Sequence, residues 1–298
     1  HRFDLLDINY VYMPSVSPTF RDEYLNSTAS NSILKYNYED LFIMRLGHTY
    51  SYQSPETDAI TGNKRRSRFS IRTNIETSGN LLSLISHTLY KQQTASGQYA
   101  ISNIAYAQYV KGDFDFVHHW TIDNRNNLAF HFGLGIAYPY GNSTILPFEK
   151  RYFSGGANSV RGWSVRSLGP GRFSGGDKKI DFINQSGDVK LDVNIEYRTK
   201  LFWKLNGAIF IDAGNIWTLR EYEEQPGGAF RFDSFFSEIA VAYGAGIRVD
   251  MDFFILRFDF GMKAINPAYD VEDRGHYPLF HPDFGRDLTF HFAVGYPF

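Results

Sequence analysis

Arg161 stands in the stretch RYFSGGANSVRGWSVRSLGPG, residues 151–171, with Gly162 and Trp163 directly behind it. A guanidinium is a planar fork of permanent charge that can hold two carboxylates at once. Two acidic residues downstream are oriented to meet it. In GDVKLDVNIEYR, Glu196 lies opposite Ile195 and Tyr197, and in LNGAIFIDAGNIW, Asp212 lies opposite Ile211 and Ala213. Successive side chains of an extended chain face opposite sides, so Glu196 and Asp212 share the polar face of two consecutive segments joined by a tight turn. A loop over residues 140–186 is long enough to fold back onto that face and bring Arg161 to both acids. Gly162 lets the backbone approach the wall closely, and Trp163 supplies an apolar wedge. The expected chemistry is therefore electrostatic: an arginine latch on an inserted loop, with Glu196 and Asp212 as its wall partners.

Bond-making chemistry finds no comparable constellation. The chain has no cysteine, which removes disulfides, thiolate catalysis and cysteine zinc sites. His118 and His119 are adjacent in a strand pattern and point to opposite faces, so they do not chelate one metal; His131 and His291 read as polar lining. The acidic run DVEDRG (270–275) lacks the spacing of a calcium loop and reads as a solvated loop. GLGIAYPYG and YGAGIRVD are glycine-rich, yet they sit inside strand patterns instead of opening helices. The NST tripeptides at 26 and 142 match a glycosylation acceptor by chance. With no nucleophile, base and orienter set, no enzymatic activity, cofactor or metal is expected. A net charge of −2 without lysine- or arginine-rich blocks gives no reason to expect nucleic acid.

The elements that must position the latch are strands of period two. Leu128, Phe130, Phe132, Leu134, Ile136 and Tyr138 share one face of NLAFHFGLGIAYPY. The same alternation sets apolar against charged or small residues in GDVKLDVNIEYR, EIAVAYGAGIRVD, FFILRFDFGM and LTFHFAVGYPF, with weaker versions at 2–13, 41–53, 66–77, 98–111 and 113–124. With residues 203–217 this makes about eleven strands, each near the roughly 9–11 residues that a tilted strand needs to cross a bilayer. Phe, Tyr and Trp make 17% of the chain while mean hydropathy stays at −0.33, and no apolar run is long enough for a membrane helix. A soluble β-sandwich also alternates. Long strands, an apolar face rich in Phe and Tyr towards the strand ends, and charges mixed with glycines on the other face favour an antiparallel transmembrane β-barrel of outer-membrane type.

Short links near 124–126, 200–203 and 249–252 alternate with long ones at 140–186, 218–237 and 264–286. Such barrels have short periplasmic turns and longer outer loops, so the C-terminus falls on the periplasmic side. Residues 79–92 read as a short amphipathic helix, and TFRDEYLN (19–26) holds a helical turn. No composition shift divides the chain, so residues 1–298 read as a single barrel domain. Bacterial barrels of one chain close with an even strand count, so further N-terminal strands are expected to come from elsewhere. HRFDLLDINY carries neither initiator methionine nor leader, so the chain reads as a processed product or a fragment.

Taken in order, VRGW in a long loop, an IEYR strand, FIDAGNIW, GAGIRVDMDFFILRFDFG and a terminal Phe298 resemble the C-terminal barrel of the BamA/TamA outer-membrane assembly superfamily over about residues 40–298. Trp163 departs conservatively from the Phe or Tyr usual at that motif position. The texture of ILKYNYEDLFIMR and ETSGNLL resembles TamA-like members from the Bacteroidetes side. The resemblance implies a barrel of about sixteen strands. It makes Val160, Arg161, Gly162 and Trp163 the loop motif, Glu196 and Asp212 its wall acids, and Phe292, Val294, Tyr296 and Phe298 a C-terminal β-signal. It further implies residence in the bacterial outer membrane, contact with its lipids, unfolded outer-membrane proteins as clients, and accessory assembly proteins. Periplasmic POTRA domains would precede the barrel. The alternatives are a passive or gated solute pore, and a barrel attached to a lipase or secretion module.

Overall fold

A computed structural model of the chain describes residues 1–11, 33, 36, 40–58, 62–90, 92–94, 97–175 and 184–298. The strands are β1 (Arg2–Val11), β2 (Leu41–Gln53), β3 (Ser67–Ser78), β4 (Ala100–Ile101), β5 (Ile104–Tyr106), β6 (Tyr109–Thr121), β7 (Asn126–Pro139), β8 (Val189–Phe202), β9 (Leu205–Trp217), β10 (Ala240–Asp250), β11 (Ile255–Ile265) and β12 (Leu288–Val294). The short α-helices α1 (Asn80–Ile85) and α2 (Phe284–Asp287) accompany them. The strands form one sheet in the order β12-β11-β10-β9-β8-β7-β6-β3-β2-β5-β4, with β1 paired to β2. Among the described residues no ladder joins the two ends of that order. No described helix is long and apolar enough to cross a membrane, which says nothing of strands. The helical turn expected at 19–26 lies outside the described residues.

The chain packs as two compact units. The first comprises His1–Tyr50, Thr73–Asp113 and Gly135–Arg151. Here β1 runs antiparallel to β2 with an irregularity between Asp4 and Asp7, and β5 runs parallel to Leu41 and Phe42 of β2. Leu41, Ile43, Leu82, Tyr106, Tyr109 and Leu146 are buried in it. Arg45 bridges Asp7 and Glu76, and Glu76 also receives the Tyr109 hydroxyl (3.1 Å) and Lys150 (3.1 Å). Asn142, one of the two acceptor-like asparagines, is buried here. Its amide is used by Tyr99 N, Tyr99 O and Tyr106 O.

The division of residues 98–124 differs from the expectation of two strands at 98–111 and 113–124. β4 and β5 form a tiny hairpin turned at Ser102 and Asn103, both at positive φ, the geometry of a two-residue primed turn. The chain then runs as one strand, β6, straight through Gly112. A Cβ at Gly112 would meet nothing within 4 Å, so this glycine bends nothing and marks no turn.

The second unit comprises Ser51–Arg72, Phe114–Leu134 and Tyr152–Phe298. Its centre is the antiparallel run β8 to β12, whose registers align residues in rows across the strands. One row is Asn194, Asp212 and Ala242; the next is Glu196, Phe210, Gly244, Gly261 and Thr289; a third is Arg198, Ala208, Gly246, Asp259 and His291. The β8–β9 and β10–β11 turns are short, at Trp203–Lys204 and at Met251–Phe254. That before β7 is held by Asp123, whose carboxylate accepts from Arg125 N, Asn126 N and the Asn126 amide, which holds it below its ordinary pKa.

The two faces of β8–β12 invert the arrangement of a water-soluble sheet. Ile209 and Phe292 are 61% and 59% exposed, and Ile195, Ile211, Ile247, Phe260 and Phe290 share that apolar face, while Asp212, Arg248 and Asp259 are 0% exposed on the other. Charge inside and grease outside is stable only where hydrocarbon replaces water around the outer face. The assignment predicts that Ile211→Lys, near mid-strand in β9, lowers stability in lipid by about 2–4 kcal/mol. Urea titration of the full-length protein folded into liposomes checks this; an unchanged midpoint would place the face away from hydrocarbon.

Candidate functional site

The loop between β7 and β8 returns to the polar face of β8–β12. Tyr152 and Gly187 pair at its base, Ser154 and Leu168 pair further in, and Gly156 N bonds Trp163 O (2.8 Å). Within that hairpin a turn closed by Trp163 N on Val160 O (3.2 Å) presents Arg161 to the wall. The side chains of Val160, Trp163 and Leu168 bury against Ala240 and Ala242 of β10, and Lys263 Nζ stands 5.4 Å from the Trp163 ring.

Arg161 is wholly buried and saturated with acceptors. Its Nε and Nη2 take both oxygens of Asp212, each at 2.8 Å, and its own backbone N–H donates to Asp212 Oδ2 at 3.0 Å. Nη1 donates to Glu196 Oε2 at 2.5 Å and lies 3.5 Å from Asp259 Oδ2. The guanidinium carbon sits 3.5 Å over the Phe210 ring, so its flat face is covered as well as its edge. Asn194 donates to Asp212 Oδ1 (2.9 Å) and to Ser159 O (2.9 Å), while Ser159 Oγ donates to Asp192 (2.8 Å), fixing the turn from below.

Three further arginines share the acids. Arg198 Nε donates to Glu196 Oε1 (2.7 Å), and Arg248 Nη2 donates to Glu196 Oε2 (3.0 Å). Arg248 Nη1 lies 2.6 Å from Asp259 Oδ1, a charge contact out of hydrogen-bond alignment. Arg257 reaches Asp259 at 3.4 Å and donates to Asn158 of the loop at 2.5 Å. Arg248, Arg257 and Asp259 fall on the polar face that the alternation marks, but only the cross-strand register shows that they converge with Arg161. The row Asn206, Arg248 and Arg257, adjoining the row that holds Asp259, supplies that signal, and single-strand periodicity does not contain it.

Glycines make the seat. A Cβ at Gly261 would strike the carbonyl oxygen of Arg161, one at Gly244 would strike the Phe210 ring, and one at Gly162 would lie 2.8 Å from Ala242 Cβ. The loop also touches the last strand. His291 Nε2 donates to Arg161 O (2.9 Å) and Thr289 Oγ1 donates to Gly162 O (2.9 Å), both acceptors being carbonyls.

The geometry is that of a loop ion-paired into the polar wall of an antiparallel transmembrane sheet, and the Omp85 superfamily domain matches residues 14–298. The chain belongs to the Omp85 superfamily. It is an outer-membrane β-barrel protein. Over 122 residues it is 30% identical to the outer membrane protein assembly factor BamA of Neisseria meningitidis, covering 38% of this chain and 14% of that protein. A crystal structure of BamA from Haemophilus ducreyi lacking POTRA domains 1-3 aligns at TM-score 0.44 and 12% identity over 86% of this chain and 55% of that one. The chain thus spans a small part of the first relative and about half of the second.

In this Omp85 chain the four aromatic and aliphatic residues expected to form one C-terminal signal separate into two groups. Phe292 and Val294 stay on the apolar face of β12, where Phe292 lies 5.3 Å from Phe258. The strand ends at Val294 instead of continuing to Phe298. Gly295, at φ +87°, still bonds Ile255 O (2.8 Å) but turns the chain. Tyr296 then lies 4.2 Å from the Arg198 guanidinium carbon, and Phe298 stacks on His131 at 5.3 Å. Both rings therefore pack on polar-face side chains. Among the described residues no group of three or more His, Asp or Glu could hold a metal ion.

The tight seat predicts that Gly162→Ala destabilises the loop by about 1–3 kcal/mol through overpacking, and that adding Ala242→Gly restores most of the loss. Protease cleavage of the loop in the folded full-length protein measures both. A double variant as sensitive as the single one would remove the Ala242 contact as the cause.

Proposed function

We propose that this Omp85 chain is the barrel portion of a protein that helps fold and insert other β-barrel proteins into the outer membrane, or translocates them. The observation that carries the reading is the superfamily match across residues 14–298. The likeness to an outer membrane protein assembly factor agrees with it. Clients would be unfolded outer-membrane proteins, and accessory assembly proteins would act with it. The work requires no cofactor and no bond chemistry. Among the described residues β12 has no strand on the side away from β11, and a backbone group left unpaired in hydrocarbon costs several kcal/mol. A client strand pairing there relieves that cost before it passes into lipid. A barrel of about sixteen strands, completed by segments outside this chain, would provide the seam.

Within that reading Arg161, Gly162 and Trp163, with Val160, form a latch that holds the loop on Glu196 and Asp212. Removing one member of a buried ion pair costs about 3–5 kcal/mol in a dry interior and less where water reaches the face. Arg161→Ala in the full-length parent is therefore expected to lower the folded levels of other outer-membrane proteins several-fold while the variant itself still reaches the membrane. Arg161→Lys, which keeps the charge but loses the fork to Asp212, should fall between. Client levels are read beside solute flux. Unchanged clients with altered flux would make the protein a pore constricted by its loop and would overturn the assembly reading.

A further inference from the structure

At the end of the polar face nearest the short turns, the second unit holds a half-open pocket of about 340 Å³ whose lining includes Arg68, Arg125, Arg198, Lys200, Tyr296 and Phe298 and, among the described residues, no Asp or Glu. Four permanent cations around one small space repel one another unless an anion joins them. Two have carboxylate partners outside the lining: Arg68 donates to Glu56 (2.8 Å) and Arg198 Nε to Glu196 (2.7 Å). Lys200 and Arg125 are brought together by the backbone bond from Lys200 N to Arg125 O (2.8 Å).

Arg198 is the telling residue. It is 8% exposed, its Nε is taken by Glu196, and its flat face is covered by Tyr296 at 4.2 Å with Phe298 at 5.5 Å. Its Nη2 is buried with no hydrogen-bond partner. A buried guanidinium N–H without an acceptor is costly, so a native site holding one is arranged for an oxyanion. We infer that this pocket binds a phosphate group, with the Arg198 guanidinium as the innermost donor and Lys200, Arg125 and Arg68 as neutralising charges. A tetrahedral anion of charge near −2 satisfies several cations at once, which a single carboxylate does not. The volume exceeds that of a bare phosphate, and the Tyr296 and Phe298 rings give its remaining space an apolar wall suited to a glycerol or acyl stem.

This site does not rest on the assembly reading, since it uses neither Arg161 nor client proteins. Calorimetry on the full-length protein in neutral detergent tests it at low salt with two probes: inorganic phosphate, and dihexanoyl phosphatidic acid with dihexanoyl phosphatidylcholine as the control. The expected result is saturable binding of at least one of the two phosphate probes and none of phosphatidylcholine. Equal affinity for both assigns the site to the phosphate alone, and much tighter phosphatidic acid assigns it to a lipid headgroup. Lys200→Gln with Arg125→Gln, both near an exposed turn, should weaken binding at least about tenfold while heat-modifiable gel mobility stays that of the folded protein. Absence of saturable binding by either probe, or undiminished binding by the folded double variant, overturns the proposal.

Discussion

The second unit depends on one interaction, the guanidinium of Arg161 divided between Asp212 and Glu196. Each desolvated charge in that contact would be expensive alone, and the pair becomes tolerable because every donor of the fork finds an oxygen and the flat face finds Phe210. Much follows from keeping those atoms in register. The loop must reach the wall without side chains between, which accounts for Gly162 facing Ala242 and for Gly261 lying directly under the Arg161 carbonyl. The backbone of Arg161 is also committed, because its N–H serves Asp212 and its C=O serves His291.

The acids, in turn, are held in place by charges and amides that are themselves buried. Glu196 receives Arg161, Arg198 and Arg248, and Asp259 is approached by Arg161, Arg248 and Arg257. A cluster of this kind is poor value as a source of stability, since apolar packing of the same volume is often no less stable. What it adds is geometry: a shift of one strand by one residue would turn that strand's members to the apolar face. Lipid on the outside is what permits it, because the hydrophobic face needs no inward core and the inner face is left to polar contacts.

Period-two alternation made β7 to β11 legible, because a sheet with hydrocarbon on one side and polar contacts on the other separates its residues without compromise. For the same reason the sidedness of Arg161's two acids can be read from Ile195, Tyr197, Ile211 and Ala213. Asp259, Arg248 and Arg257 were visible only as polar-face residues, since their meeting point is a property of register between strands. Two misreadings have specific causes. The expected division between 98–111 and 113–124 is absent because alternation persists through Gly112, and the chain turns instead at Ser102–Asn103. Alternation also persists in letters through Tyr296 and Phe298, although a positive φ at Gly295 has already ended the strand.

The loop is tied to more than the wall acids. Arg161 O and Gly162 O accept from His291 and Thr289 of β12, whereas Arg161's side chain engages β8 and β9 and approaches β11. One turn of loop therefore contacts strands at both sides of β10 and the strand that ends the sheet order. Removing the loop would leave the His291 and Thr289 donors, Asp212 Oδ2 and part of Glu196 without these partners together. Loss of one contact then weakens the reason for the others, so seating of the loop and order in β12 are coupled through hydrogen bonds, without any need for a longer route through the fold.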